Sequence, residues 1–280
     1  MSVDPIKESD LYRRYHFNYY AVLALKARIY DYAGFTDLAK TYAREVIDGA
    51  KFPFIKEENL ATVNAGQKDR LFTPEIIWAL RVKDMKNWTE GATSTANYFR
   101  YSSMGALNFT LTLPEVSYKS LFEFSANPLD YRYQYLYETD EITSGSGNFP
   151  SKYWQTWVQS TGQTSQDRLD QTVPLIRIAE MYYILANNSA TIEEALGYLN
   201  TVRKNRGISL TLNTTTISDE DLLLKEITKE YQKEFYAEGQ TFFWYKKIGT
   251  NNIPLYGEAV KPENYVFPIP DTELEYNPSY

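Results

Sequence analysis

Residues 17–49 read FNYYAVLALKARIYDYAGFTDLAKTYAREVIDG, and this stretch decides the fold. Across Phe17–Tyr32 the side chains of Tyr20, Leu23, Ala24, Ala27 and Tyr30 recur at the i, i+3, i+4, i+7 spacing of one helix face. Gly34 stands where a left-handed C-terminal cap belongs, and Thr36 can cap the helix that follows. That second helix sets Ala39, Tyr42, Ala43 and Val46 on one side and stops at Gly49. Small side chains at Ala24, Ala27, Ala39 and Ala43 let the two helix axes come close. The stretch predicts a helical hairpin.

The same grammar returns further along. Leu175, Ile178, Ala179, Tyr182, Leu185 and Ala186 form a helical stripe that opens just after Pro174. Thr191 and Glu194 then have the spacing of a capping box, ahead of a helix that carries Ala195, Leu199 and Val202 and ends at Gly207. Ser218 can cap a third segment, acidic in its first turn at Asp219, Glu220 and Asp221, as a helix dipole favours. It continues through Leu224, Ile227, Tyr231 and Phe235 toward Gly239.

The expected fold is mainly α: tetratricopeptide-like helical hairpins with long irregular loops, in a single domain over 1–280. Its parts are a hairpin at 17–49, an irregular aromatic-rich region at 51–172, a hairpin and following helix at 173–239, and a looped C-terminal extension at 240–280. Within the irregular region Glu75–Val82 suits a strand or short helix, and Asn108–Leu113 alternates in the manner of a strand. Ser144–Asn148 and Ser160–Gln166 read as polar loops. The region carries Trp78, Trp88, Trp154 and Trp157, four of the chain's five tryptophans, which favours order over disorder.

Composition narrows the function. Aromatic residues make up 16% of the chain, with 25 tyrosines, a profile suited to surfaces where a ring is buried and a hydroxyl stays wet. A formal net charge of −7 leaves no basic stripe for phosphates, so nucleic acid is not an expected partner. The absence of cysteine removes disulfides, thiol catalysis and cysteine-ligated zinc. The single histidine, His16, sits among Arg13, Arg14 and Tyr15 and reads as a surface or capping residue; no metal site is expected. Neither a Walker loop nor a GxGxxG is present, so no cofactor is expected. Met1–Asp10 lacks the zones of a signal peptide, and no apolar run approaches the roughly 20 residues that span a bilayer.

Two sets of residues could carry chemistry. Glu230, Glu234 and Glu238 lie at i, i+4, i+8, so a continuous helix stacks three carboxylates along one side. Paired carboxylates are the tools of glycoside hydrolysis. Neighbouring like charges on one helix repel by a few tenths of a kcal/mol per pair, however. They read better as partners of Arg177, Arg203 and Arg206, in structural ion pairs between hairpins. No catalytic residue is assigned. The second set is aromatic. Sugar rings stack on flat side chains while amides and carboxylates bond their hydroxyls. Trp88 with Asn87, Tyr98 with Asn97, and Tyr153, Trp154 and Trp157 with Gln155 and Gln159 supply that mixture in irregular segments and are the candidate ligand-binding residues. Trp78 and Trp244 lie in apolar runs and are assigned to the core.

Four local motifs occur in order: Asn18–Arg28 with Tyr30, Tyr32, Ala33 and Gly34; Pro174–Glu180 with Leu199-Asn200 and Val202-Arg203 to Arg206-Gly207; Glu230-Tyr231, Glu234-Phe235 and Glu238-Gly239 with Phe242-Phe243; and Phe267–Pro270 with Glu273 and Asn277-Pro278. Asp130 and Arg132 add an Asp-x-Arg pair. In these motifs the chain resembles the SusD/RagB family of nutrient-binding outer-membrane lipoproteins of Bacteroidota. The resemblance implies a non-catalytic protein that captures oligosaccharide, or another nutrient such as a peptide, at the cell surface. It implies delivery to a TonB-dependent, SusC-like transporter, and membrane contact only through a lipid anchor that this chain lacks. Family members carry a longer N-terminal half with a signal peptide and a lipidated cysteine. This chain is therefore read as the C-terminal part of such a protein, or a short relative. Two other readings stand beside it: a tetratricopeptide-like protein–protein scaffold that uses the hairpins alone, and a glycoside hydrolase, which needs two opposed carboxylates in a cleft.

Overall fold

Asn18 starts the first hairpin. In the computed structural model, which describes residues 11–89, 115–139, 148–156, 170–254 and 257–276, a short α1 (Leu11–Arg14) precedes α2 (Tyr19–Tyr32). The Asn18 side chain accepts from the Ala21 amide at 2.9 Å and so satisfies one of the orphan donors at the start of α2. The chain reverses at Gly34, where φ is +80°, a conformation that glycine adopts without strain, and enters α3 (Thr36–Asp48). Thr36 is the first helical residue and not the cap; Phe35 holds that position without a side-chain bond. Ala24, Ala27, Ala39 and Ala43 have no exposed surface, which is what lets α2 and α3 pack closely.

The middle of the chain is made of short pieces: α4 (Glu57–Leu60), β1 (Ile76–Arg81), α5 (Met85–Thr89), α6 (Glu115–Leu121), α7 (Tyr131–Tyr135), β2 (Tyr137–Thr139), β3 (Asn148–Pro150) and β4 (Thr172–Arg177). β1 runs antiparallel to β4, with Ile76 opposite Arg177 and Arg81 opposite Thr172, and β2 pairs with β3. The expected strand at 108–113 and most of the polar loops at 144–148 and 160–166 lie outside the described residues.

β4 corrects one expectation. Helical spacing from Leu175 onward points to a helix there, yet α8 (Ile178–Asn187) begins three residues later. Thr172, Pro174 and Ile176 are buried while Val173 and Leu175 are half-buried, the two-residue alternation of a strand. β1 supplies a ladder for that segment, and tertiary pairing overrides the local pattern.

α8 and α9 (Ile192–Lys204) form the second hairpin. Thr191 accepts from the Glu194 amide at 3.2 Å, and the Glu194 carboxylate accepts from the Ala190 amide at 3.1 Å. α3 packs on α8, so one apolar core joins the hairpins, from Tyr20, Leu23 and Val46 to Ile178, Met181 and Leu185, with Ile77 and Ile176 of the small sheet. α10 (Glu220–Glu234) is capped by Asp219, which accepts from the Leu222 amide at 2.9 Å, and not by Ser218. It ends at Glu234, short of Gly239, and the backbone then turns left-handed at Ala237 and Gly239.

Residues 1–234 make one compact unit and residues 235–280 a second. The second unit is not all loop: it holds α11 (Gln240–Ile248) and α12 (Asp271–Tyr276). Within it Phe242 packs on Tyr265 at 5.9 Å and Phe267 at 5.1 Å, and Tyr265 donates to the Thr250 carbonyl at 2.8 Å. Trp244 is buried, and no described helix is long and apolar enough to cross a membrane.

Candidate functional site

Glu230 and Glu234, one turn apart on α10, face the same way and meet four arginines from three other elements. Arg132 of α7 forks onto Asp130 at 2.9 and 2.8 Å, then reaches Glu230 at 2.9 Å and Glu234 at 3.1 Å. Arg177, at the end of β4, donates to the Glu234 carboxylate and, at 2.7 Å, to the Glu234 carbonyl. Arg203 of α9 reaches Glu230 at 3.1 Å. Arg206, just past α9, is bidentate twice: to Glu234 at 2.9 and 2.6 Å, and to Glu75 at 2.7 and 2.6 Å. Glu75 also accepts from the Ile55 amide at 3.0 Å. Asp130, Glu75, Glu230 and Glu234 thus stand against four arginines, all shielded from solvent.

Taking this many charges out of water costs several kcal/mol each unless every one is paired and hydrogen-bonded. The paired state decides the electrostatics. Burial alone pushes the Glu230 carboxyl up, but Arg132, Lys233 and Arg203 outweigh it and hold the group down to about 2. Glu234 goes the same way: burial opposes, and Arg206 and Arg177 drive its carboxyl well below the usual range. Phe72 lies under the cations, 4.4 Å from Arg206 and 5.3 Å from Arg177, a stacking that suits guanidinium groups. Asp69 behaves in the opposite manner. Burial raises it to about 6 despite hydrogen bonds from Thr73 and Leu71, and it is sealed from solvent.

The third glutamate of the row falls away. The continuous helix expected to carry Glu238 ends at Glu234, and Glu238 itself is half-buried in the second unit. Glu75 has no signal in the sequence beyond its place ahead of an apolar run, and only the fold brings it to Arg206. Asp130 and Arg132 are visible in the sequence as a pair, but not as the group that ties α7 to α10.

The aromatic candidates separate. Trp88, on α5, is 69% exposed and presents its indole to water. Tyr153 and Trp154 are only 4% and 7% exposed, so neither ring offers an open face to solvent. At Trp154 the Arg70 guanidinium lies 5.7 Å from the ring and is itself clamped on Glu138 at 2.8 and 3.1 Å, closing that side. Tyr98 and Trp157 lie outside the described residues. Trp78 is half-buried, with Phe17 at 4.9 Å, and His16 is exposed.

The SusD family model matches residues 119–249, a span that includes every member of the charge network except Glu75. No curated protein sequence matches the chain. A SusD-like carbohydrate binding protein from Bacteroides vulgatus is 19% identical, with 95% of this chain and 59% of that chain covered at a TM-score of 0.63. A SusD superfamily protein from Bacteroides thetaiotaomicron is 23% identical, with 93% and 59% covered at 0.63. Surface glycan-binding protein A of Bacteroides thetaiotaomicron, solved in complex with laminarihexaose, is 16% identical, with 97% and 64% covered at 0.63. The chain has the SusD-like fold and spans about three fifths of the length of these structures.

Proposed function

We propose that this chain belongs to a binding protein that captures an oligosaccharide and does not cleave it. The fate of the α10 carboxylates carries the reading. A glycoside hydrolase needs one carboxyl that holds its proton near neutral pH and a second opposed to it across the sugar. Glu230 is held at about 2 and Glu234 is driven well below its usual range, and their oxygens are taken up by arginines. What remains for sugar recognition on this face of the chemistry is aromatic, with Trp88 exposed. A protein–protein scaffold that uses the hairpins alone would leave this ring unused.

The likeness to surface glycan-binding structures supports a place on the outer face of a bacterial outer membrane. There the whole protein, held by a lipid anchor, hands its ligand to a TonB-dependent, SusC-like transporter. Affinity electrophoresis through gels carrying different polysaccharides tests the binding. Retardation on at least one, weakened by Trp88→Ala, is expected. Retention of peptides but of no glycan moves the ligand to the peptide class, and retention of neither, with capture of a transporter, favours the scaffold.

A further inference from the structure

We infer that Tyr131 and Tyr135, pinned together by Glu57, form a stacking platform for a pyranose ring; this rests on the oligosaccharide reading above. The two tyrosines sit at i and i+4 on α7, so both project from one side of it. Their ring centroids are 6.0 Å apart and their planes are inclined by 47°. Each hydroxyl donates to a different oxygen of one carboxylate: Tyr131 to Glu57 Oε2 at 3.1 Å and Tyr135 to Glu57 Oε1 at 2.8 Å. Glu57 is exposed and the rings are half-buried, so the clamp faces water and not the core. Burial, then the bond to Glu57, pushes the Tyr135 hydroxyl up to about 12, so it stays a donor at neutral pH.

A five-residue helix is a poor footing by itself, since it closes hardly more than one turn. Here the footing is supplied from beneath. Arg132, between the two tyrosines in sequence, is fixed in the buried network by Asp130, Glu230 and Glu234. The Tyr131 amide donates to the Arg206 carbonyl at 2.8 Å. Gly207 lets the Tyr131 ring lie against the backbone: a Cβ there would collide with that ring, and would stand 2.5 Å from the Leu129 carbonyl oxygen. Rings held this way lose little freedom on binding, which is the condition for a useful contact site.

The surroundings suit a sugar. The Lys68 ammonium, held by Glu138 at 3.0 Å, lies 5.9 Å from the Tyr135 ring. At Gly207 the platform adjoins an open groove of about 590 Å³ whose wall includes Thr201, Lys204, Ser209 and Thr211. These hydroxyls and the Lys204 ammonium can bond the hydroxyls of a neighbouring sugar, while the tyrosine faces take the apolar C–H side of a pyranose.

Calorimetric titration of the full chain with laminarihexaose and a panel of other neutral oligosaccharides tests this. For any that binds, Tyr131→Ala and Tyr135→Ala should each weaken the affinity about fivefold, a stacking loss on the order of 1 kcal/mol. Tyr135→Phe, which keeps the ring and loses the clamp, should cost less. Melting temperatures should stay close to the parent's; if an alanine variant fails to fold, Glu57→Gln, which loosens the clamp and leaves both rings, should still weaken binding measurably. Unchanged affinity in the tyrosine variants, with binding lost in Trp88→Ala, overturns the platform and leaves the binding reading intact. No binding of any oligosaccharide overturns both.

Discussion

The hairpin core and the charge network lie side by side in the first unit, and they are held by different means. Between α2, α3 and α8 the contacts are mainly apolar, non-directional and individually small, beside one ion pair, Arg28 on Glu180, and the amide bonds of Asn187 and Asn188 to Asp31. Around α10 they are four acidic side chains against four arginines, with Lys233 beside Glu230, whose geometry must be right all at once, because each offsets the desolvation cost of another. The first arrangement tolerates exchange of one apolar group for another of similar size. The second does not tolerate loss of a single member. A buried network therefore links α7, α9, α10 and β4.

Removing one carboxylate should give the largest effect. Glu234→Ala takes one carboxylate partner from each of Arg177, Arg206 and Arg132, so a loss of about 3–5 kcal/mol is expected from denaturant unfolding followed by circular dichroism. A loss below about 1 kcal/mol would mean that the network adds little beyond packing.

Acid should act on the same groups without mutation. Glu230 is about 2 in the folded chain against an ordinary 4.5, so its folded-state value is depressed. Its contribution to stability is then fully present above about 4.5 and is lost as the pH falls toward about 2. Melting temperatures should drop steeply in that window, and Glu230→Gln, less stable at neutral pH, should show a flatter profile there.

The hairpin core should respond more mildly. Ala43→Leu adds bulk where no surface is exposed, between α2 and α3, and should cost about 1–3 kcal/mol by overpacking, read as a lowered melting temperature. An equal or greater loss than for Glu234→Ala would reverse the ranking of the two regions. Smallest of all, Trp88→Ala should leave stability within about 0.5 kcal/mol, since its ring is exposed, and should weaken glycan binding several-fold.

The two regions also differ in how far the sequence alone reveals them. Helical spacing and alanine placement mark the 19–48 hairpin, and Thr191, whose hydroxyl accepts from the Glu194 amide, marks the start of α9, because those signals act within a few residues. β4 is hidden because its partner lies nearly a hundred residues earlier, and the helical spacing of Leu175 and Ile178 masks the strand. Glu75 is hidden for a similar reason: its partner Arg206 is 131 positions away. Tyr153 and Trp154 show the converse. An aromatic beside an amide looks the same in sequence whether it faces water or the core, and the Arg70 guanidinium that covers one side of Trp154 comes from far along the chain.

The central claim is that the chain holds a sugar and that its buried carboxylates do no chemistry on it. Mass spectrometry of an oligosaccharide retained by the protein, after prolonged incubation at pH 7 and again at pH 5, tests this most directly. The account predicts intact ligand at both values; shorter fragments that disappear in Glu230→Gln would contradict it.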